Sequence, residues 1–112
     1  MQDQKIALVT GASKGIGAAI ARELANDGYS IWLNYRSDHQ AAEVLAEEIK
    51  VAGGDCALLP FDVADPEAVT AALEPLLEEH TPAVLVNNAG FARDGIMALM
   101  SQGDWDDVLA VH

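Results

Sequence analysis

The stretch Lys5-Ile6-Ala7-Leu8-Val9-Thr10-Gly11-Ala12-Ser13-Lys14-Gly15-Ile16-Gly17-Ala18-Ala19-Ile20-Ala21 decides the fold. Residues 5–9 are nearly all apolar, as expected for a strand covered on both faces in a parallel sheet. A strand that ends in glycines and passes into a helix leaves free backbone N–H groups at the helix N-terminus, where the helix dipole favours negative charge. Such a turn is a site for a phosphate. Gly11 permits the sharp exit from the strand, Gly15 lets the backbone approach a pyrophosphate, and Gly17 lets the helix lie near the strand. The spacing departs from G-x-G-x-x-G and lacks the Gly-Lys-Ser/Thr ending of a nucleoside-triphosphate loop. A plain strand-to-helix turn would also carry glycines, so the rest of the chain has to decide.

The rest alternates strands and helices. A helix over residues 14–27, with Ile16, Ile20 and Leu24 facing inward, is closed by Gly28. A second strand over 29–34 precedes a helix over 38–52, whose apolar face is Ala41, Val44, Leu45, Glu48 and Ile49 and whose end is Gly53-Gly54. Pro60 cannot donate to a ladder, which places the third strand, over 55–61, at the sheet edge. Asp65 reads as an N-cap before Pro66, with Val69, Leu73, Leu76 and Leu77 on the buried side, and Pro75 predicts a kink or break near Glu74. The fourth strand covers 83–86. Residues 91–103 read as a loop with a short helical turn around 96–100, and a last helix starts near Asp104 with Trp105, Val108 and Leu109 on one side. This alternation predicts an α/β doubly wound parallel sheet of Rossmann type with right-handed crossovers and strand order 3-2-1-4. The crevice then lies at the carboxyl ends of strands one and four. With nothing after it, strand four would be an open apolar edge.

Composition narrows the partners. The 112 residues are 51% hydrophobic and 21% charged, with a net charge of −12 and only six Lys and Arg. A nucleic-acid backbone or an anionic membrane surface needs clustered basic residues, so neither is expected. No charged-then-apolar leader and no apolar run near the ~20 residues that span a bilayer is seen, and a cytoplasmic home is expected. Of the basic residues, Lys14 and Arg36 fall beside the phosphate sites, whereas Lys5, Arg22, Lys50 and Arg93 read as solvated surface. Cys56 is the single cysteine, so no internal disulfide can form, and it reads as a small buried residue. Cys and His are not grouped at metal-ligand spacing, so no metal site is expected; His39 and His80 read as surface and structural residues.

The end of strand two bears on the nucleotide. An acidic residue there bonds a ribose 2′-hydroxyl, whereas a 2′-phosphate needs positive charge. This chain has Asn34-Tyr35-Arg36-Ser37, with Asp38 already at the next helix start. An Arg fork binds a phosphate that a carboxylate would repel, so the expected cofactor is NADP(H).

Taken together, residues 10–17, Asp62-Val63 after strand three and Asn87-Asn88-Ala89-Gly90 after strand four resemble the short-chain dehydrogenase/reductase family over essentially the whole chain. The resemblance implies that Gly11, Ser13, Lys14 and Ile16, in the turn shared with Gly15 and Gly17, line the phosphates and adenosine ribose. It implies Arg36 and Ser37 at the 2′-phosphate, Asp62 and Val63 at the adenine edge, and Asn88, Ala89 and Gly90 at the nicotinamide-side ribose, with Asn87 bracing strand four. Within the family, residues 34–37, 89–94 and 105–108 look most like 3-oxoacyl-[acyl-carrier-protein] reductases of bacterial fatty-acid synthesis; sugar and alcohol dehydrogenases look similar here. The family's catalytic Ser and its Tyr-x-x-x-Lys pair have no counterpart: Tyr29 and Tyr35 lie at strand two, and neither has a Lys four residues on. His112 falls where the family has an Asn that helps hold a proton-relay water.

Residues 1–112 are therefore expected to be the N-terminal dinucleotide-binding portion of a single Rossmann domain, truncated at its C-terminus and inactive alone. The full-length protein would take an acyl-carrier-protein-linked substrate and form a homotetramer. The rival expectation is a non-catalytic dinucleotide-binding module, a sensor or one subunit of an assembly.

Overall fold

The computed structural model describes residues 5–13, 15–88 and 107–110, the last four and Asn87 by their backbone alone. The order is β1 (Ile6–Val9), α1 (Gly15–Asn26), β2 (Ser30–Tyr35), α2 (His39–Val51), β3 (Cys56–Pro60), α3 (Pro66–Leu77), β4 (Val84–Asn87) and β5 (Asp107–Ala110). The strands form one parallel sheet in the order β3-β2-β1-β4-β5. The expected 3-2-1-4 order is thus present, and β3, with Pro60, is an edge as its missing donor requires.

Alternation along the strands splits the core into two layers. Ala7, Val9, Ile31, Leu33, Tyr35, Val84 and Val86 pack against Ala18 and Ala21 of α1 and Ala42, Leu45 and Ile49 of α2. Leu8, Trp32 and Leu85 point the other way, against Phe61 and against Val69 and Leu73 of α3. Every fully buried Val, Leu or Ile contributes about 1.5–3 kcal/mol, which is why a chain with such unbroken apolar strands folds with helices on both faces.

Two helices sit differently on the sheet than their periodicity predicts. In α1 the residues buried are Gly17, Ala18 and Ala21; Ile20 and Leu24 are half-buried, and Ile16 is 60% exposed. The helix lies so near the strand exit that only small side chains fit on the facing stripe, and the large ones move to its flanks. In α2 the stripe is Ala42, Leu45, Ala46 and Ile49, with Val44 exposed. Local chemistry sets the helix ends as expected. Asp38 Oδ1 accepts from Ala41 N–H at 3.1 Å, and Asp65 Oδ1 accepts from Glu67 N–H at 3.1 Å and Ala68 N–H at 3.3 Å.

Two further expectations are corrected. Of the kink or break expected at Pro75, the break does not occur: α3 continues to Leu77 and closes with Glu78 N–H on the Glu74 carbonyl and His80 N–H on the Leu76 carbonyl. A proline near a helix end removes only one bond, and Leu73 and Leu76 keep that turn packed. Val108 and Leu109, expected on a helix, lie instead in β5, which pairs in parallel with β4 from Val84↔Asp107 to Asn87↔Ala110. An apolar run as short as Val108-Leu109-Ala110 does not distinguish strand from helix by periodicity, and the unpaired edge of β4 offers it a ladder. The expected turn at 96–100 and the residues Asp104 and Trp105 lie outside the described residues.

Candidate functional site: the β1–α1 turn and its two neighbours

All strands of a parallel sheet end on one side, and the chain segments after β1, β2, β3 and β4 meet there. Gly11 leaves β1 with φ 58° and Gly15 opens α1 with φ 68°, conformations that cost a side-chain-bearing residue about 1–2 kcal/mol. A Cβ on Gly15 would meet nothing within 4 Å, so open space lies in front of the backbone there. A Cβ on Gly17 would lie 2.5 Å from the Gly11 carbonyl oxygen, 2.7 Å from Asn88 Nδ2 and 2.9 Å from the Ala12 Cα. One glycine faces room for a ligand and the other sits where helix and turn touch. That is the shape a close-approaching pyrophosphate requires, so the residues present fit a dinucleotide.

The hydrogen bonds of the turn are more constrained than its glycines indicate. Gly11 N–H donates to Asn34 Oδ1 at 3.1 Å, and Ala12 N–H donates to the Asn34 carbonyl at 2.8 Å. The two N–H groups nearest the strand are therefore engaged by β2, and an anion is left those that follow. On the other side, Asn88 N–H donates to Thr10 Oγ1 at 3.0 Å, and Asn88 Nδ2 donates to the Gly11 carbonyl at 3.0 Å. This welds the segment after β4 to the turn. Asn88, expected at the nicotinamide-side ribose, uses its side-chain amide as a brace.

After β2, Arg36 is 78% exposed and its Nε lies 3.5 Å from Asp62 Oδ2. The residue expected at the 2′-phosphate and the one expected at the adenine edge are thus neighbours. Asp62 is fixed by accepting from Ala64 N–H at 2.9 Å through Oδ1, with its carbonyl accepting from Asp65 N–H at 3.0 Å. Ser37 is exposed, Ser13 and Val63 are half-buried, and Ile16 lies on the exposed side of the first turn of α1. Gly11, Ser13, Gly15, Ile16, Gly17, Arg36, Ser37, Asp62, Val63 and Asn88 all belong to segments at this one end of the sheet. Lys14, Ala89, Gly90 and His112 lie outside the described residues.

Sequence reasoning missed three participants. Asn34 was named only within the stretch 34–37 that bears on the nucleotide, and Thr10 only as the first residue of the glycine motif, with no bond across the turn expected of either. The third is the contact of the buried Tyr35 hydroxyl with His39 Nδ1, His39 Nε2 in turn lying 3.3 Å from Glu43 Oε2. Burial and the Glu43 carboxylate raise the Tyr35 hydroxyl above its ordinary pKa, so it stays protonated.

Elsewhere, Arg22 forks onto Glu48 at 3.0 and 3.3 Å, linking α1 to α2 rather than standing free in solvent, and this holds the Glu48 carboxyl below its ordinary value. A hollow of about 490 Å³ near that pair is lined by Glu23, Gly28, Gly53 and Gly54 among others. It lies where α1 and α2 end, at the opposite end of the strands from the glycine turn. Among the described residues no group of three or more His, Cys, Asp or Glu side chains could hold a metal ion, and no helix is long and apolar enough to cross a membrane.

Cys56, half-buried on β3, has its thiol pushed up to about 11, chiefly by burial, against a smaller downward pull from Lys50. At pH 8 its alkylation by iodoacetamide should run on the order of a hundredfold slower than that of a free thiol. The rate should keep rising past pH 10. A plateau near pH 9 would contradict the burial.

Comparison with known proteins agrees with this arrangement. Residues 5–112 match the family described as short chain dehydrogenase. The chain is 43% identical over 110 residues to the 3-oxoacyl-[acyl-carrier-protein] reductase FabG of Staphylococcus aureus, covering 97% of this chain and 45% of that protein's length. Among solved structures, a dehydrogenase/reductase from Sinorhizobium meliloti 1021 superposes with a TM-score of 0.86 at 30% identity, over 95% of this chain and 52% of the other. A metagenomic short-chain oxidoreductase in complex with NADP gives a TM-score of 0.72 at 41% identity, over 78% of this chain and 39% of the other. The chain spans about half the length of such relatives. A parallel sheet in 3-2-1-4 order, a glycine turn tied to β2 and to the segment after β4, and a family match over nearly every residue lead to one conclusion: the chain belongs to the short-chain dehydrogenase family.

Proposed function

We propose that this chain is the N-terminal, dinucleotide-binding portion of an NADPH-dependent short-chain reductase. In its full-length form, that protein reduces 3-oxoacyl-[acyl-carrier-protein] to the 3-hydroxyacyl form. The observation that carries the cofactor choice is Arg36, an exposed guanidinium at the end of β2 beside Asp62. A planar fork with several donors suits a 2′-phosphate, and its exposure leaves it available to one. The relative solved with NADP supports the same choice, and likeness to the Staphylococcus aureus reductase supports the substrate class.

When bound, the nicotinamide supplies a hydride to the substrate carbonyl. The residues of this chain bind and orient. N–H groups of the turn beyond Ala12 and the charge of Lys14 hold the pyrophosphate, Arg36 and Ser37 hold the 2′-phosphate, and Asp62 and Val63 flank the adenine. Asn88, Ala89 and Gly90 border the nicotinamide-side ribose, with the Asn88 side chain keeping the turn closed. The proton donor comes from outside these 112 residues, so the piece binds nucleotide without turning over. The full-length protein is proposed to act in the cytoplasm as a homotetramer.

The test follows NADPH absorbance with an acetoacetyl-loaded acyl carrier protein. The full-length polypeptide should oxidise NADPH, and the 112-residue chain should bind it without oxidising it. Turnover of a sugar or simple alcohol in place of the carrier-linked ketone would overturn the substrate class. No binding of either nicotinamide dinucleotide would overturn the cofactor reading.

A further inference from the structure

Asn34, the last residue but one of β2, is 2% exposed, and each polar atom of its side chain is engaged. Oδ1 accepts from Gly11 N–H at 3.1 Å, while Nδ2 donates to the Leu59 carbonyl at 3.1 Å and to the Phe61 carbonyl at 3.0 Å. Gly11 belongs to the turn that faces the pyrophosphate. Phe61 is the residue before Asp62, on the adenine side. One amide therefore spans the two segments that must grip opposite ends of the adenosine diphosphate moiety.

We propose that Asn34 is a positioning residue that fixes the spacing between the phosphate turn and the adenine edge, so that the two bind one dinucleotide together. The proposal rests on the cofactor reading above. Its physical content is a chelate effect. When two subsites are held at the spacing of a linked ligand, the second contact forms at a high effective concentration, and rigidity removes the cost of ordering the site on binding. The amide is suited to this because it presents an acceptor to one segment and two donors to the other. Aspartate offers no donor when ionised, leucine neither function, and glutamine is a methylene too long for a site this closely packed. The Asn34 side chain occupies the Gly11 N–H and its backbone carbonyl the Ala12 N–H, so the anion is directed to the N–H groups beyond them.

The experiment uses the full-length polypeptide, with Asn34→Leu and Asn34→Asp beside the wild type. Calorimetry measures affinity for NADPH and for its halves, adenosine 2′-monophosphate and nicotinamide mononucleotide. Loss of the bridge should weaken NADPH by tenfold or more, on the order expected for partial loss of a linked-ligand gain, and each half by less than about threefold. If the halves weaken in step with NADPH, or NADPH binding is undiminished, the proposal is overturned. Should Asn34→Leu fail to fold, Asn34→Asp decides by its pH profile. A buried carboxyl between two carbonyls regains one donor when protonated, so its NADPH affinity should recover relative to wild type between pH 8 and 6. An unchanged ratio across that range overturns the idea. A wild type that binds no nicotinamide dinucleotide removes the cofactor reading, and this inference with it; a binding wild type with an equally tight Asn34→Leu removes this inference alone.

Discussion

Gly17→Val should reduce NADPH affinity of the full-length polypeptide by a hundredfold or more, on the order of what a 1 Å misplacement of a binding group costs, and should lower thermal stability as well. The first added carbon alone would stand 2.5 Å from the Gly11 carbonyl oxygen and 2.9 Å from the Ala12 Cα, both backbone atoms that cannot rotate away. The helix must retreat from the turn. Overpacking of this kind costs about 1–3 kcal/mol, and the retreat also breaks the geometry in which Asn88 Nδ2 reaches the Gly11 carbonyl. Gly15→Ala is the informative contrast. Its Cβ meets nothing, so its cost to folding is only the strain of φ 68°, about 1–2 kcal/mol. Its Cβ does intrude on the open space before the turn, so binding should suffer more than stability. Thermal melts and NADPH titrations of both variants check this, and a Gly17→Val protein that melts and binds as wild type would refute the close approach.

Arg36→Asp should reverse the choice between the two dinucleotides. A hydrogen bond to a charged partner contributes about 1.5–3 kcal/mol, and replacing the guanidinium with a carboxylate adds repulsion of the 2′-phosphate beside Asp62. The ratio of NADPH to NADH affinity should therefore fall by about a hundredfold, with NADH binding spared or improved. Stability is a useful control. Arg36 is 78% exposed and its Nε is 3.5 Å from the Asp62 carboxylate, a geometry in which an ion pair contributes little, so the melting temperature should barely move. Equal losses for NADPH and NADH would show that Arg36 does not address the 2′-phosphate.

The parts of this molecule that were legible beforehand are those written in single residues or in unbroken runs. Apolar runs at Ala7, Leu8, Val9 and at Val84, Leu85, Val86, each passing at once into a polar or glycine-bearing turn, read as strands covered on both faces, and Pro60 placed its strand at an edge. Asp38 and Asp65 announced helix starts because capping is local chemistry. What periodicity could not supply was the rotation of α1, since the buried stripe of Gly17, Ala18 and Ala21 reflects how near the helix lies to the strand, which is a tertiary distance. Nor could it distinguish strand from helix for Asp107–Ala110, where the available β4 edge makes the difference. In the site, the glycines showed that an anion could approach. They did not show that Asn34 already occupies the first two N–H groups, because that depends on register between β1 and β2 and on a side chain crossing from one segment to the next.

The most direct test of the anion grip is a backbone-amide NMR titration of the full-length polypeptide with NADPH. The amides of Ser13, Gly15 and Ile16 should shift most, while those of Gly11 and Ala12, already donating to Asn34, should stay protected from hydrogen exchange and move little. Shifts centred instead on Gly28, Gly53 and Gly54, around the hollow at the far end of the strands, would contradict it.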